Sequence, residues 1–290
     1  MVNPKGGRGQ AGWRWAGLRP RLEACLPNTS FDVLETTGPR SAPAQARALA
    51  EGGCSIVVAV GGDGTVSQVM NGLTGTDAAL AVLPAGTGND FARTLGFGPN
   101  IDAAVDALVV GERMRMDVGA WRVGNQSGFF INVAGLGFDS AVADRINRGF
   151  RHVRGSLAYF AAILSTLRTY RPRRLSGLID GEPIEGQVML CALANAQAYG
   201  GGLRIAPMAS IEDGLLDLVM VGEFGTVEFL RNFGRLRRGN HLSHPKVFHR
   251  PFRRLEIEVD PPGPFLVDGE LFGPGPVEVE IRPGIIEVIA

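Results

Sequence analysis

Two short glycine-rich segments are the parts of this sequence best suited to bind phosphate groups. GGDGT (61–65) follows the apolar run SIVVAV (55–60), and AGTGND (85–90) follows the apolar run ALAVLP (79–84). Glycine lets an anion approach the main chain closely, and the N-terminus of a following helix adds favourable partial charge. Two such loops after successive buried strands predict two walls of one nucleotide site.

Carboxylates form the second group of candidates. Asp63 would repel a phosphate, so we interpret it either as a partner of Mg²⁺ or as a helix cap in a plain turn. Two Asp-Gly pairs between apolar runs, LIDGEP (178–183) and FLVDGELF (265–272), predict β-hairpins. Each hairpin places a glutamate, Glu182 or Glu270, just after its turn. The residues alone leave open whether either glutamate is catalytic.

The elements around the glycine-rich loops predict an α/β domain with a parallel sheet over residues 1–120. The two apolar runs are typical of strands buried on both faces. The residues after the first loop follow the spacing of a helix, with apolar side chains at Val66, Val69, Met70 and Leu73. Further helices are expected around 91–95 and 101–109, and a strand over 116–123.

Residues 121–290 predict a mostly-β, sandwich-like second domain, because short apolar strands alternate with Gly/Pro turns. At least one helix, around 226–238, interrupts the strands, and Gly239 is placed to end it. We expect the last strand to return to the first domain. The strands are predicted from these segments: GFFINVAG, QVMLCALANA, LLDLVMV, LEIEV, PFLV, VEVEI and IIEVI.

The composition of the 290 residues, 45% hydrophobic and 20% charged, excludes a disordered or fibrous protein. Three cysteines without close spacing exclude a disulfide framework and a Cys-rich zinc site. The first ten residues contain no apolar stretch, and the run 157–167 is too short to span a membrane. We therefore expect a soluble, cytoplasmic protein.

The charge is neutral overall but segregated along the chain. Residues 145–174 contain eight arginines, and residues 231–254 contain seven arginines and one lysine, with no acidic residue in either stretch. Apolar residues are mixed with these bases, which suits an anionic surface at the inner face of a membrane. The alternative is two ordinary solvated helix faces. No nucleic-acid-binding module accompanies the bases, so we expect no nucleic-acid partner.

Common nucleotide-binding motifs are missing from the chain: the P-loop, the Rossmann fingerprint and the protein-kinase catalytic loop. Instead, GGDGTVSQV (61–69) and LPAGTGNDFAR (83–93) resemble the diacylglycerol kinase catalytic domain of bacterial lipid kinases. That family is related in fold to NAD kinases and 6-phosphofructokinases. The resemblance continues through NP (3–4), YGGGLRIAP (199–207), EDGLLDL (212–218) and FLVDGE (265–270).

The resemblance implies ATP and Mg²⁺ as cofactors, and it implies site residues. Glu270 matches the proton acceptor for the lipid hydroxyl, and we group Asp63 with it as catalytic, whereas Glu182 is read as turn surface. The positions of Asp90 and Asp117 match polar residues near the site whose roles stay open. The nucleotide-binding residues implied are Thr36, Gly61, Gly62, Asp63, Gly64, Thr65, Val66, Ser67, Gln68, Gly86, Thr87, Asn89 and Asp90.

A magnesium site is implied as well, with main-chain oxygens of Ser210 and Leu215 and the carboxylate of Asp213. Hard oxygen ligands in a turn suit Mg²⁺. Asp217 is a rival to Asp213 for this role, but the strand pattern points it elsewhere, and we expect it to face solvent. In the family, Asn-Pro ends a first parallel strand. Only Met1 and Val2 precede Asn3 here, so this strand is expected to be essentially missing.

The function implied is that of an ATP-dependent lipid kinase with a lipid substrate, and diacylglycerol is the default acceptor. The product would then be phosphatidic acid. Two alternatives stay open: a non-catalytic nucleotide- or lipid-binding protein, and a soluble-substrate kinase of the NAD-kinase kind. The oligomeric state also stays open, because edge strands could pair between chains in a homodimer.

Overall fold

The computed structural model describes residues 1–4, 6–38, 40–149 and 156–290. The chain divides into two compact units. Unit 1 comprises Met1–Val118 and Pro283–Ala290, and unit 2 comprises Gly119–Arg282. Two long strands, β3 (Arg113–Val123) and β14 (Val277–Ile289), each continue from one unit into the other.

Unit 1 is an α/β domain, as the sequence predicts. Its strands are β1 (Ile56–Gly61) and β2 (Ala79–Pro84), together with the parts of β3 and β14 that belong to this unit. Its helices are α1 (Gln10–Cys25), α2 (Ala42–Glu51), α3 (Asp63–Leu73), α4 (Asp90–Thr94) and α5 (Ile101–Val110).

The sheet of unit 1 is mixed: β1, β2 and β14 form its parallel part, and β3 also pairs with β14. Strands β1 and β2 run side by side with Gly61 opposite Pro84, so both strands end at the same edge. On the far side of β2, β14 pairs in parallel at Val288. On the far side of β1, Val2 forms parallel bridges to Val60 and to Glu35. Val2 therefore stands where the family's first strand is expected.

Unit 2 contains ten further strands and three helices within its described residues. The helices are α6 (Phe138–Gly149), α7 (Ser156–Thr169) and α8 (Thr226–Arg238). The strands are β4 (Gln126–Phe130), β5 (Val133–Gly137), β6 (Arg173–Ile179), β7 (Glu182–Val188), β8 (Leu190–Ala194), β9 (Leu216–Val221), β10 (Val247–Phe252), β11 (Arg254–Asp260), β12 (Pro264–Val267) and β13 (Glu270–Pro274).

The strands of unit 2 form a β sandwich, which confirms the predicted fold class. One antiparallel layer has the order β14-β11-β6-β7, and the other has the order β10-β9-β8-β5-β12-β13. Buried side chains of both layers share one core, with Leu175 and Leu255 from the first and Leu136, Leu193 and Phe265 from the second. Alternating apolar residues make this inner face, as expected for antiparallel sheets.

The structure differs from the sequence prediction, or adds to it, in several elements. VEVEI and IIEVI are one strand, β14, because the intervening Pro283-Gly284 stays within the ladder, with Gly284 at φ 57°. Helices α6 and α7 also interrupt the strands, in addition to the predicted α8. That helix does end before Gly239, which adopts the left-handed conformation expected of a C-terminal glycine.

None of the helices in the described part of the chain is long and apolar enough to cross a membrane.

Candidate functional site

The two glycine-rich loops lie in direct contact in unit 1. A Cβ atom built on Gly62 would lie 3.0 Å from the Cα of Gly86, and one built on Gly86 would overlap the Cα of Gly62. The main-chain N–H of Ala85 also donates to the carbonyl of Gly61 at 2.8 Å. Glycine is therefore required in both loops by their mutual approach, in addition to any ligand.

Two side chains fix the shape of the second loop. Asn89, at φ 52°, accepts a hydrogen bond from the N–H of Gly86 at 2.9 Å and donates one back to its carbonyl at 3.1 Å. Asp63, from the first loop, accepts a hydrogen bond from the N–H of Phe91 at 3.0 Å. Asp63 thus caps the start of α4. Of the two interpretations of Asp63, a partner of Mg²⁺ or a helix cap, this hydrogen bond favours the helix cap.

The N-terminus of α3 opens directly on the first loop. Gly62 is the N-cap residue, and no side chain caps the helix there. The first-turn N–H groups of an α-helix lack partners within the helix, and the aligned peptide dipoles make this end attractive to anions. The arrangement can hold phosphate oxygens against the main chain.

The remaining candidate nucleotide-binding residues differ in how far their side chains are exposed to solvent. Thr87 is exposed, whereas Val66 is 2% exposed and Asp90 3% exposed. Val66 is part of the hydrophobic interior, so its side chain is not available to a ligand and only its main chain could contribute. Gln68 is half-buried, and Ser67 is 9% exposed.

Thr36 and Thr65 are connected to the first residues of the chain. The N–H of Thr36 donates to the carbonyl of Val2 at 2.9 Å. The side-chain amide of Asn3 donates to Oγ1 of Thr65 at 3.0 Å. These bonds tie residues 2–3 and 34–36 to the start of α3, so the structure groups Thr36 with the glycine-rich loops in unit 1.

Glu270 lies in unit 2, directly after the β12–β13 turn. Asp268 and Gly269 both have positive φ, 45° and 88°, as a two-residue type I′ hairpin requires. The Asp268 carboxylate accepts hydrogen bonds from the N–H groups of residues 131, 132 and 133, at 3.0 to 3.3 Å. The turn that carries Glu270 is therefore anchored to the start of β5.

Glu182 occupies the same position in the β6–β7 hairpin, with Asp180 and Gly181 at φ 50° and 84°. Its carboxylate forms an ion pair with Arg250 at 2.8 Å, and the Glu182 side chain is 67% exposed. An exposed pair of this kind contributes little to stability. Glu182 is thus surface, as the sequence reading has it.

Two buried asparagines beside the Glu270 turn were missed by sequence reasoning. Asn132 is 3% exposed and Asn195 is 0% exposed. The side chain of Asn195 donates to the carbonyl of Ile131 at 3.0 Å, and its main-chain N–H donates to the carbonyl of Asn132 at 2.9 Å. An asparagine inside each of the apolar strand segments GFFINVAG and QVMLCALANA was the available signal.

The turn of residues 210–215 has the oxygen donors that a magnesium ion prefers. Oδ1 of Asp213 accepts a hydrogen bond from the N–H of Leu215 at 3.0 Å, and Asp213 itself is exposed. Oδ2 of Asp213 and the main-chain carbonyl oxygens of Ser210 and Leu215 are the further oxygens that could bind the ion. The described residues contain no group of three or more His, Cys, Asp or Glu side chains suited to a metal. A site here would depend on one carboxylate and main-chain oxygens, which fits Mg²⁺ chemistry.

The prediction that Asp217 faces solvent is wrong. Asp217 is 6% exposed, and its Oδ1 lies 2.6 Å from Nε2 of His249 on the neighbouring strand β10. A buried carboxylate needs such a partner because desolvation is costly. Asp117 also has a structural role: its carboxylate accepts a hydrogen bond from the N–H of Gly284 at 2.7 Å.

Comparisons with known proteins agree over the whole chain. Residues 1–121 match the diacylglycerol kinase catalytic domain family, and residues 132–290 match the YegS C-terminal NAD kinase beta sandwich-like domain family. The chain therefore belongs to the diacylglycerol kinase catalytic-domain family of lipid kinases.

Individual relatives cover nearly all of the chain. A protein named diacylglycerol kinase from Mycobacterium tuberculosis (strain H37Rv) is 36% identical over 100% of this chain and 93% of its own length. One of that name from Bacillus subtilis (strain 168) is 30% identical over 96% and 91%. A crystal structure of a diacylglycerol kinase from Bacillus anthracis matches with a TM-score of 0.79 at 27% identity, over 99% of this chain and 94% of that one.

Proposed function

We propose that this protein is an ATP-dependent lipid kinase that transfers the γ-phosphoryl group of ATP to a lipid hydroxyl, with diacylglycerol as acceptor. The observation that carries this proposal is the direct packing of Gly62 on Gly86 at the carboxyl ends of β1 and β2. Ligands of parallel α/β sheets bind at this edge. The names of the full-length relatives support diacylglycerol as the acceptor.

In this proposal the loops of unit 1 bind the ATP phosphates. The uncapped N-terminus of α3 offers main-chain N–H groups, and Gly64 leaves open space beside them, since a Cβ there would meet no atom within 4 Å. Phosphoryl transfer depends mainly on positioning and charge stabilisation. A backbone fixed by Asp63 and Asn89 can supply the positioning without reorganising.

Glu270 is the general base in this proposal and accepts the proton of the lipid hydroxyl as its oxygen attacks phosphorus. The turn that carries it is anchored by three main-chain bonds to Asp268, which limits its movement. Bound Mg²⁺ would neutralise phosphate charge. Ser210, Asp213 and Leu215 would hold a further Mg²⁺ ion that fixes the 210–215 turn.

The outer face of α8 is the surface that we assign to membrane contact. Val227 is 62% exposed and Leu230 is 44% exposed, and Arg231, Arg237 and Arg238 are exposed as well. Residues three and four apart share one helix face, so apolar and cationic side chains alternate there. Such a face suits the headgroup region of an anionic bilayer. Arg151 and Arg154 of the first basic stretch lie outside the described residues.

The test is phosphorylation of a lipid panel by the purified full chain with labelled ATP in mixed micelles. The panel contains diacylglycerol, monoacylglycerol, a sphingoid base and ceramide, with NAD as the soluble acceptor. We expect a labelled product with the mass of phosphatidic acid. Labelling of NAD instead of a lipid, or saturable ATP binding without any turnover, would contradict the proposal.

A further inference from the structure

A polar cavity lies wholly within unit 2, and none of the residues proposed above for nucleotide, proton or magnesium binding lines it. Its volume is about 600 Å³, within the usual range of ligand sites. The walls are formed by α6, α7, the link from α7 to β6, and the segment between β11 and β12. Four arginines line it: Arg145, Arg148, Arg171 and Arg173.

The charge of the lining is strongly positive. Asp144 is the one carboxylate among the lining residues, and it pairs with Arg148 at 2.8 Å. None of the described residues forms an ion pair with Arg145, Arg171 or Arg173. Several uncompensated guanidinium groups around one cavity repel one another, so an anion bound among them would be favoured.

Two of the arginines are held in place by neutral partners. Arg145 donates to Oγ of Ser165 at 2.8 Å and to Oγ1 of Thr169 at 3.1 Å. Arg173 donates to the carbonyl of Pro261 at 2.6 Å and lies over the ring of Tyr170. Neutral hydrogen bonds orient these guanidinium groups and leave their charge available. Preorganisation of this kind reduces the entropic cost of binding.

Hydroxyl groups complete the polar wall. Thr166 lines the cavity and is 3% exposed, and its Oγ1 makes no hydrogen bond to any described residue. Buried hydroxyls normally have a partner. Asp139 of α6 is a further acid, close enough to add to the effect of burial in raising the pKa of Tyr170, which lines the cavity. Burial raises the pKa of the Asp139 carboxyl to about 7, so it opposes an anion only in part at neutral pH.

We propose that this cavity binds the phosphate group of a phosphomonoester. Guanidinium groups bind phosphate in a bidentate manner, and a phosphate has more acceptor oxygens than the two of a carboxylate. Three unpaired guanidinium groups and a free hydroxyl offer more donors than a carboxylate can accept. The choice of a phosphomonoester among tetrahedral anions rests on the proposed kinase function, whose product carries that group. The source is either a lipid headgroup or a soluble phosphate compound.

The test measures binding of glycerol 3-phosphate and of inorganic phosphate to the full chain by calorimetry. A saturating non-hydrolysable ATP analogue is present to occupy the loops of unit 1. Because each charge-assisted hydrogen bond matters, we expect the double variant Arg145→Gln/Arg171→Gln to bind at least about tenfold more weakly. The lipid source is tested in parallel with phosphatidylcholine vesicles containing phosphatidic acid, against vesicles of equal charge containing phosphatidylserine.

The matched control is Arg168→Gln/Arg174→Gln, which removes the same charge from neighbouring positions that do not line the cavity. It should retain wild-type affinity within about twofold. Thr166→Val changes no charge and should weaken phosphate binding a few-fold. It therefore tests the proposal even if Arg145→Gln/Arg171→Gln fails to fold. Binding of soluble phosphate indicates a soluble ligand, and selective binding of phosphatidic acid vesicles indicates a lipid headgroup.

Equal affinity of the two double variants would overturn the proposal, as would a wild-type chain that binds none of the probes saturably. Binding of the ATP analogue is recorded on the same samples, and turnover of lipid is measured separately, with ATP, on the same protein preparations. If the wild-type protein neither binds the analogue nor phosphorylates lipid, the kinase function is contradicted. A phosphate affinity measured for the cavity would still hold in that case.

Discussion

The carboxylate of Asp63 accepts a hydrogen bond from the N–H of Phe91 at 3.0 Å, although the two residues follow different strands of the sheet. The first loop therefore caps the helix that begins at the second loop. Neither loop can shift without changing the other, since Gly62 and Gly86 are also in contact. The surface that we propose for phosphate binding is therefore made from two parts of the chain that hold each other in place.

The cap can be separated from any catalytic role of Asp63 by two substitutions. Asp63→Ala removes the acceptor and should lower the free energy of unfolding by about 1 kcal/mol, as for other helix caps. Asp63→Asn keeps an acceptor oxygen and should retain most of that stability. If the charge is needed for catalysis, both variants lose lipid phosphorylation. Urea unfolding and the labelled-ATP assay distinguish the roles, and an active Asp63→Asn variant would remove Asp63 from the catalytic set.

The contact between the loops predicts that Gly86→Ala is strongly destabilising. Its Cβ would overlap Gly62 and would lie 2.9 Å from Oδ1 of Asn89, so we expect a loss of about 2 kcal/mol or more. Gly64→Ala is the matched control, because a Cβ there meets no atom within 4 Å. It should leave stability unchanged or slightly raised, and yet weaken ATP binding. Unfolding curves and calorimetric titration with ATP give both quantities; equal stability of the two variants would argue against tight loop packing.

Glu270→Gln should lower lipid phosphorylation by a factor of about 100 or more, because a general base is lost. Binding of ATP should stay within about twofold of the wild type, since the nucleotide loops belong to unit 1. Glu182→Gln is the control, at the same position of the other Asp-Gly hairpin, and it should retain full activity. If the Glu182 variant is inactive and the Glu270 variant active, the assignment of the base is reversed.

The outer face of α8 should determine binding to anionic vesicles. Removing two of its charges with Arg237→Gln/Arg238→Gln should weaken binding about tenfold or more, at about 1 kcal/mol for each base near the headgroups. Leu230→Gln should also weaken it, whereas Val110→Gln, at a position of α5 that is 68% exposed, should not. Sedimentation with phosphatidylserine-containing vesicles measures the effect. Unchanged binding of all α8 variants would show that another surface meets the membrane.

Asp139 predicts a specific pH dependence of stability. Burial raises its pKa in the folded protein from 3.8 to about 7. Between these values the unfolded chain has lost the proton and the folded protein still holds it. Stability therefore falls as the pH rises from about 4 to 7, by an amount on the order of a few kcal/mol. Asp139→Asn should remove this contribution. The free energy of unfolding of the variant should therefore rise relative to that of the wild type as the pH increases.

Urea unfolding of both proteins at a series of pH values checks this expectation. Near pH 4 the wild-type carboxyl is protonated in the folded state, so the difference between the two proteins should be smallest there. A stability difference that does not change between about pH 5 and pH 8 would show that the carboxylate is ionised in the folded protein at low pH.

Local signals were sufficient to predict the elements that hold the nucleotide candidates. Strand β2 is buried on both faces and β1 is largely buried, and both are continuous apolar runs in the sequence. Helix α3 shows the apolar spacing of a helix. The loops follow from these elements, because parallel strands end at one edge. The two Asp-Gly turns were likewise readable, since type I′ hairpins need residues that tolerate positive φ.

Long-range pairings could not be read in the same way. Asp217 was expected at the surface because its partner His249 lies on another strand, and only the register of β9 and β10 brings them together. Gly284 was read as a break, but its N–H donates to Asp117, far back along the chain. The anchoring of the Glu270 turn by Asp268 depends in the same way on residues 131–133. Such contacts form only when the chain has folded, so local sequence patterns do not predict them.

Strand β14 has a consequence for the order of events during synthesis. Val288 completes the sheet of unit 1 beside Leu80, and Gly284 bonds to Asp117. A ribosome makes residues 283–290 only after every residue of unit 2. Unit 1 therefore cannot complete its sheet until all of unit 2, which is inserted into it, has been translated. Contacts this distant in sequence slow folding, and a chaperone would have its longest opportunity to bind during that interval.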